Sequence, residues 1–342
     1  MIELQHDRLV FSFPEVHPQA KLTIEFQRTL RIPDDNRSYP LPPGLGAFSL
    51  RHVDDHAASV PSAWLQHGGV MMPIYQAEAL WLSFNVRHID RRETAYPFAI
   101  KVATGKHCAV SGDAWQDGLA RKPQNYMVAP QQPWLDGYVV EKGKIRQFVA
   151  MPLGAGYSAE EQISGKAEHG GIQLAVYPMK REVFERRFPE RDERLMQRVM
   201  SCMDMSELDE CADMGLAPGG MMEQEIYDDP FAIGDWDTTS TSRCFVHLCN
   251  SMVWNSITGT QPPYPPPTAK QYANAKLPWF AWYDESATAV SPTDTLKGLK
   301  SVSQLSVEKG TVVLPENESV TPDNIVVYRS GLQPGQVREG VF

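Results

Sequence analysis

The segments of this chain that can build a core are short. Apolar runs of four to eight residues recur along the first 180 positions, and most stop at a glycine, a proline or a charged turn. Leu22, Ile24 and Phe26 alternate with Thr23 and Glu25, the two-residue period of a half-buried strand. ALWLSFNV (79–86) is compact, apolar and rich in aromatics. FAIKV (98–102) and HCAV (107–110) flank Thr104-Gly105-Lys106, and GYVV (137–140) and KIRQFVAM (144–151) flank Glu141-Lys142-Gly143. Both are hairpin patterns. GIQLAVYP (171–178) ends at Pro178. Runs of this length suit strands of an antiparallel sheet or sandwich. The expected fold is mainly β (α+β decorated), with an antiparallel β-sandwich-like core, long Pro-rich loops and a few peripheral helices.

The connections carry much of the proline, as in RSYPLPPGLG (37–46) and APQQPWLDG (129–137). Helix signals are few. Ser158-Ala-Glu-Glu161 is a capping-box pattern after Gly154-Ala-Gly156, and MKREVFERRF (179–188) is a charged amphipathic helix stopped near Pro189. A second helix is expected from Arg191, with Leu195, Val199 and Cys202 or Met203 on one face. SRCFVHLCNSMVW (242–254) reads as a strand and QPPYPPPTAK (261–270) as a linker, with Thr268 placed to cap a helix through Gln271 and Ala275. Beyond Ser291 the chain turns polar, and TVVL (311–314) and NIVVYR (324–329) remain as late strands. The expected division is 1–290, a single β-rich globular domain, and 291–342, an extended C-terminal segment with one or two late strands.

Charge is distributed unevenly. Between Arg198 and Arg243 there is no Lys, Arg or His, yet eleven of the 42 acidic residues lie there. Elsewhere 31 acidic residues stand against 32 basic ones, so nearly all of the net charge of −10 sits in one stretch. It ends in Asp228-Asp229-Pro-Phe-Ala-Ile-Gly-Asp235-Trp-Asp237. Hard cations take several oxygens from one loop, so Asp228, Asp229, Asp235 and Asp237 are a candidate Ca²⁺ site, although the spacing is not that of an EF-hand. The plainer alternative is a solvated acidic loop. No cofactor motif accompanies it. A sequence pI near 5.4 disfavours nucleic acid as a partner. No apolar run of about 18 residues is present, so no membrane span is expected. Glu3 and Asp7 near Met1 argue against a secretory leader, and five scattered cysteines argue for a reducing, cytoplasmic setting.

Several blocks resemble a widespread family of uncharacterised microbial proteins: TLRIPDDNRSYPLPPGLGAFSLRHVDD (29–55), WLDGYVVEKGKIRQFVAMPLGAGYSAEEQISGKAEHGGIQL (134–174), LAPGGMMEQEIYDDPFAIGDWD (216–237) and LPWFAWYDE (277–285). The blocks span most of the chain, which implies one co-folded unit. The resemblance implies no activity and no catalytic residue.

Other constellations have a chemical and a structural reading. Met200, Cys202, Met203, Met205, Cys211, Met214, Met221 and Met222 are soft donors suited to Cu(I), but methionine also fills cores, and Met221-Met222 after two glycines reads as a flexible loop. Cys244, His247 and Cys249 offer a ligand pair or dyad, against a core strand with a neutral, hydrogen-bonded His247. His52-Val-Asp-Asp-His56 would clamp a metal if helical and is surface polarity otherwise; His107 and His169 are lone candidates. Gly154-Ala-Gly156 could present N–H groups to an anion, against a tight turn and cap. Trp279, Phe280, Trp282 and Tyr283 form a candidate partner-binding surface, or an anchor tying the C-terminal segment down.

Three function classes follow. The first is a binding or self-assembly protein, homo-oligomeric or with a protein partner, for want of any catalytic motif. The second is a metal-assisted hydrolase or other enzyme with a site gathered from dispersed His and carboxylates. The third is a carbohydrate-binding β-sandwich.

Overall fold

Residues 1–35, 37–89, 92, 94–190, 213–261, 264–266, 279–283, 287–311 and 325–329 are described in the computed structural model of the chain. Strands make up 39% against 15% helix, so the protein is mainly β, as expected. In chain order the strands are β1 (Ile2–Gln5), β2 (Arg8–Ser12), β3 (Lys21–Thr29), β4 (Ser38–Tyr39), β5 (Arg51–His52), β6 (Val70–Ile74), β7 (Ala79–Val86), β8 (Phe98–Thr104) and β9 (His107–Cys108). There follow β10 (Met127–Ala129), β11 (Trp134–Leu135), β12 (Gly137–Glu141), β13 (Lys144–Pro152), β14 (Ile172–Pro178), β15 (Asp213–Glu223), β16 (Ser242–Asn250), β17 (Trp279–Tyr283) and β18 (Ile325–Arg329). Among the described residues sixteen of these join one sheet, ordered β1-β2-β3-β7-β13-β15-β16-β14-β8-β10 with six short strands attached off that path.

The alternation in the sequence decides which face is buried. On β3, Leu22, Ile24 and Phe26 are fully buried, and they lie opposite Val86, Phe84 and Leu82 of β7. That face meets the far side of the sheet, where Phe13 stacks its ring 5.9 Å from Phe98. One continuous apolar cluster takes in Leu22, Phe26, Leu82, Phe98, Ile100 and Val102, so the sheet closes over itself in layers. All seven residues of β14, between β8 and β16, are buried, as expected of a strand covered on both faces. Pairing is mostly antiparallel; β6 with β16, β4 with β15 and β17 with β18 are parallel.

Both expected hairpins form. Thr104 pairs with His107 across Gly105 and Lys106, whose φ angles of 52° and 58° are the left-handed pair of a two-residue turn. The hairpin of β12 and β13 turns at Lys142-Gly143, with Gly143 at φ 75°. The capping box also forms: Ser158 accepts from the Glu161 N–H, and Glu161 reaches back to the Ser158 N–H, opening the helix Ala159–Ser164. The helix Arg181–Arg187 lies in the segment read as amphipathic.

Where connecting segments leave the ladder, buried glutamine amides bond their backbone groups. Gln147 on β13 has no exposed surface; its Oε1 accepts the Ile32 N–H at 2.8 Å and its Nε2 donates to the Leu30 carbonyl at 2.9 Å. Gln124 donates to the Tyr126 and Tyr227 carbonyls and accepts the Asp229 N–H. Gln173 ties Lys106 to Gly170 in the same way. Each amide satisfies backbone groups that burial would otherwise leave bare.

Two expectations change. Met221 and Met222 are not in a loop: they pair with Arg146 and Ile145 inside β15, an eleven-residue strand that runs through Pro218, Gly219 and Gly220. The glycines are there for close approach, since a Cβ on Gly220 would stand 2.5 Å from the Pro33 carbonyl oxygen and one on Gly219 2.6 Å from Val149. In the segment expected to be extended, Asp294–Lys297 and Val302–Glu308 are helices capped by Thr293 and Ser301. Leu296 and Leu299 join the main core, and Val302 and Leu305 join a smaller cluster with Val149 and Tyr157. Of the two late strands, β18 forms beside β17, while 312–314 lie outside the described residues, as do 191–212 and the expected helix at Gln271. Among the described residues no helix is long and apolar enough to cross a membrane.

Gln147→Leu keeps the volume and removes both amide bonds. It orphans the Ile32 N–H and the Leu30 carbonyl, so a loss of about 2–5 kcal/mol is expected in urea unfolding at pH 7. A loss near zero would mean that the 30–32 segment is held by something else.

Candidate functional site

The hairpin of β12 and β13 ends in three cations within five residues, Lys142, Lys144 and Arg146. Side chains two apart on a strand share a face, so Lys144 and Arg146 point the same way. They line one wall of an open cleft of about 610 Å³. Ser38 of β4 and Met221 of β15 contribute to the same lining, and Pro292 and Lys297 come from the C-terminal segment. Four cationic side chains and a single carboxylate, that of Glu141, therefore meet in one cleft of a chain carrying −10 overall.

The cations are held differently. Arg146 is largely buried, and its guanidinium donates to the Gly219 carbonyl at 3.2 Å and lies 3.5 Å from Asp34. Asp34 in turn accepts the Ser301 hydroxyl. Arg146 is thus fixed in direction. Lys144 and Lys297 pair with Glu141 and Asp294 at 2.8 Å each, on the open surface. Such exposed pairs contribute little and exchange readily for a better partner. Among the described residues Lys142 has no ion-pair partner.

Of the four carboxylates read as a calcium site, three have partners of their own. Asp229 is buried and accepts from the Tyr126 hydroxyl at 2.5 Å, from the Trp236 indole at 2.9 Å and from the Phe231 N–H. Asp235 receives Arg187 at 2.8 Å. Asp237 accepts the Thr239 and Ser240 N–H groups, and Asp228 is exposed. The hydrogen bonds from Thr239 and Ser240 hold the Asp237 carboxyl below its ordinary range against the opposing effect of burial, the largest single influence on it. Among the described residues no group of three or more His, Cys, Asp and Glu side chains is arranged to hold a metal ion.

The aromatic cluster divides. Trp279 is buried, and its ring lies 6.4 Å from that of Tyr39. Phe280 exchanges two backbone hydrogen bonds with Leu41, so β17 is stitched onto the proline-rich loop as an anchor. Trp282 and Tyr283 extend β17, and their side chains lie outside the described residues. His52 lies on β5 and Asp54–His56 form one 3-10 turn, so the two histidines do not share a helical face. The Gly156 N–H and the Ser158 N–H are both taken by Glu161, which leaves the glycine turn no cradle for an anion. His107 bonds the Gly105 carbonyl through Nδ1. Met214 and Met222 are core residues, and the soft donors from 200 to 211 lie outside the described residues.

β16 has the structural character its pattern implied. His247 is 1% exposed, stacked between Trp64 at 4.7 Å and Phe245 at 4.3 Å, with Nε2 bonded to the Gly68 carbonyl at 3.1 Å. Burial pushes its pKa down to about 4, so the ring is neutral. Cys249 lies in an apolar cluster with Trp64, Met71 and Trp254, and burial raises the Cys244 thiol to about 12. Cys108 and Cys244 are free thiols.

The cleft itself was half visible in the sequence. Lys142, Lys144 and Arg146 alternate beside a recognisable hairpin, and that alternation was the available signal. Ser38 and Lys297 are more than 100 positions away on either side, and nothing local announces them. No family model, curated protein or solved structure matches the chain.

His247 yields a signed pH dependence. Unfolded, the imidazole titrates near 6.5; folded, near 4. Its contribution is present in full above 6.5 and is lost as pH falls through 4, by up to about 3 kcal/mol. His247→Gln should lose about 1–3 kcal/mol at pH 7 and show a shallower fall between pH 6.5 and 4 in urea unfolding. An unchanged slope would assign the acid sensitivity elsewhere.

Proposed function

We propose that this protein is a binding protein whose basic cleft holds an anionic ligand. The observation that carries the reading is the placement of Lys142, Lys144, Arg146 and Lys297 around one cleft in an acidic chain. Asp34, Glu141 and Asp294 pair with three of these cations, and the two surface pairs can open to an incoming anion while Lys142, unpaired among the described residues, adds a further charge. Arg146 supplies a fork oriented by the Gly219 carbonyl, the geometry that suits a carboxylate or a phosphate. Lys142 and Lys144 sit at the hairpin tip on flexible stems and close on the ligand from outside. The cleft volume is in the range of small-molecule sites. The lining supports binding over chemistry, because its residues hold charge but include no pair of acid and base in contact with a nucleophile.

The test is calorimetric titration with pyrophosphate and with citrate at low salt, against the parent protein and the double variant Lys142→Glu with Lys144→Glu. The parent is expected to bind at least one probe, with affinity falling as salt rises. The double variant should bind roughly a hundredfold more weakly or not at all, since each reversed contact removes on the order of 1 kcal/mol or more. Its melting temperature should change little, because Lys142 is exposed and the Lys144–Glu141 pair is a surface pair. No heat from either probe, or equal affinity in the variant, sinks the reading.

A further inference from the structure

The chain changes partners at Asp136. Before it, Trp134 and Leu135 of β11 pair with Ser83 and Leu82 of β7. After it, β12 pairs with β13 from Gly137 and Gln147 onward, while Phe148 and Val149 of β13 take Leu80 and Ala79 of β7. Asp136 therefore lies in the crotch of a three-strand fork. Its backbone is satisfied there: the N–H donates to Gln224 Oε1 at 3.3 Å and the carbonyl accepts the Phe148 N–H at 2.9 Å. Its side chain is not. It is 1% exposed, and neither carboxyl oxygen has a hydrogen-bond partner among the described residues.

Two amides are gathered at the same fork. Gln132 Nε2 and Gln224 Nε2 both donate to the Trp134 carbonyl, at 3.2 and 2.9 Å. The amide oxygen of Gln132 is buried and, like the Asp136 oxygens, has no partner among the described residues. A bare carboxylate is too costly to bury, so Asp136 must keep its proton or face a cation.

We propose that the fork is a cation site, with Asp136 as the anionic ligand and the Gln132 amide oxygen as a neutral one. The unsatisfied side-chain atoms of Asp136 and Gln132 are oxygens, the donor type of hard cations. Charge selects among those ions. Burial, the largest influence, raises the Asp136 carboxyl above its ordinary range against the opposing effect of its own backbone N–H, and among the described residues no cationic side chain pairs with it. A univalent ion, Na⁺ or K⁺, thus leaves the fork neutral, whereas Ca²⁺ or Mg²⁺ would bury a net positive charge. The proton competes for the same oxygens, so occupancy rises with pH.

The experiment is the melting temperature of the full chain near pH 8 in NaCl, KCl and choline chloride at equal concentration, with CaCl₂ at matched ionic strength. The inference expects NaCl or KCl to raise it by roughly 2–4 °C over choline chloride. The rise should vanish near pH 4 and in Asp136→Asn, and shrink in Gln132→Ala. Asp136→Asn, with no charge to compensate, should melt alike in all the salts. Equal melting of the parent protein in all the salts overturns the inference and leaves Asp136 a protonated acid. A rise that persists in Asp136→Asn also overturns it, and a larger response to CaCl₂ overturns the univalent assignment. Should Asp136→Asn fail to fold, the salt series on the parent and on Gln132→Ala still decides.

Discussion

Buried backbone must be hydrogen-bonded, and in this protein much of it lies in loops that have no strand to pair with. The sheet satisfies its own groups through the ladder. The proline-rich connections do so only in part: Leu41 pairs with Phe280 and Leu135 with Leu82, but each proline lacks the N–H that a ladder needs. Gln147, Gln124, Gln173 and Gln224 close that gap. Each carries a donor and an acceptor on one planar group, the same pair that a strand neighbour would offer. Gln147 holds 30–32 against β13, which sets where Asp34 reaches Arg146. Gln224 bridges Trp134 and Asp136 at the fork that sends β12 toward its hairpin. The position of the basic cleft depends on these neutral side chains as much as on the charged ones.

Ionisable groups inside the fold are settled one at a time. His247 gives up its charge and stacks between aromatics. Asp229 keeps its interior position with hydrogen bonds from Tyr126 and Trp236. Glu160, 3% exposed, accepts three consecutive backbone N–H groups, those of Glu168, His169 and Gly170. Glu78 forms an ion pair with Arg28 at 2.6 Å and accepts the Tyr75 N–H. Set beside these, Asp136 stands out because the same fold that satisfies the others leaves its carboxyl unmatched. The acidic loop and the cationic cleft are likewise held separately: the loop from Asp228 to Asp237 is held by Arg121 and Arg187, and the cleft cations come from a hairpin and a distant helix.

Local patterns carried far in places. The alternation in 21–29, the turn at Gly105-Lys106, the hairpin at Lys142-Gly143 and the capping box at Ser158 all form where their residues imply, because each is decided within a few positions of itself. Met221-Met222 failed that treatment. Two glycines before them look like flexibility, whereas the loop backbone at Ile32 and Pro33 presses close enough to exclude a Cβ. Leu296, Leu299 and Leu305 were too sparse in a polar stretch to announce two helices, which gain their stability from the core they cover.

The sequence alone determined a mainly β protein with defined hairpins, a buried β16 and an acidic stretch, since side-chain periodicity and turn chemistry are local. Tertiary structure alone decided the rest. It closed the sheet over itself, tied Asp229, Asp235 and Asp237 to neighbours in the fold, and carried Ser38 and Lys297 to the hairpin at 142–146. It also placed Asp136 in a fork of three strands. A cleft and a buried charge are relations between distant segments, and no window of sequence contains both ends of such a relation.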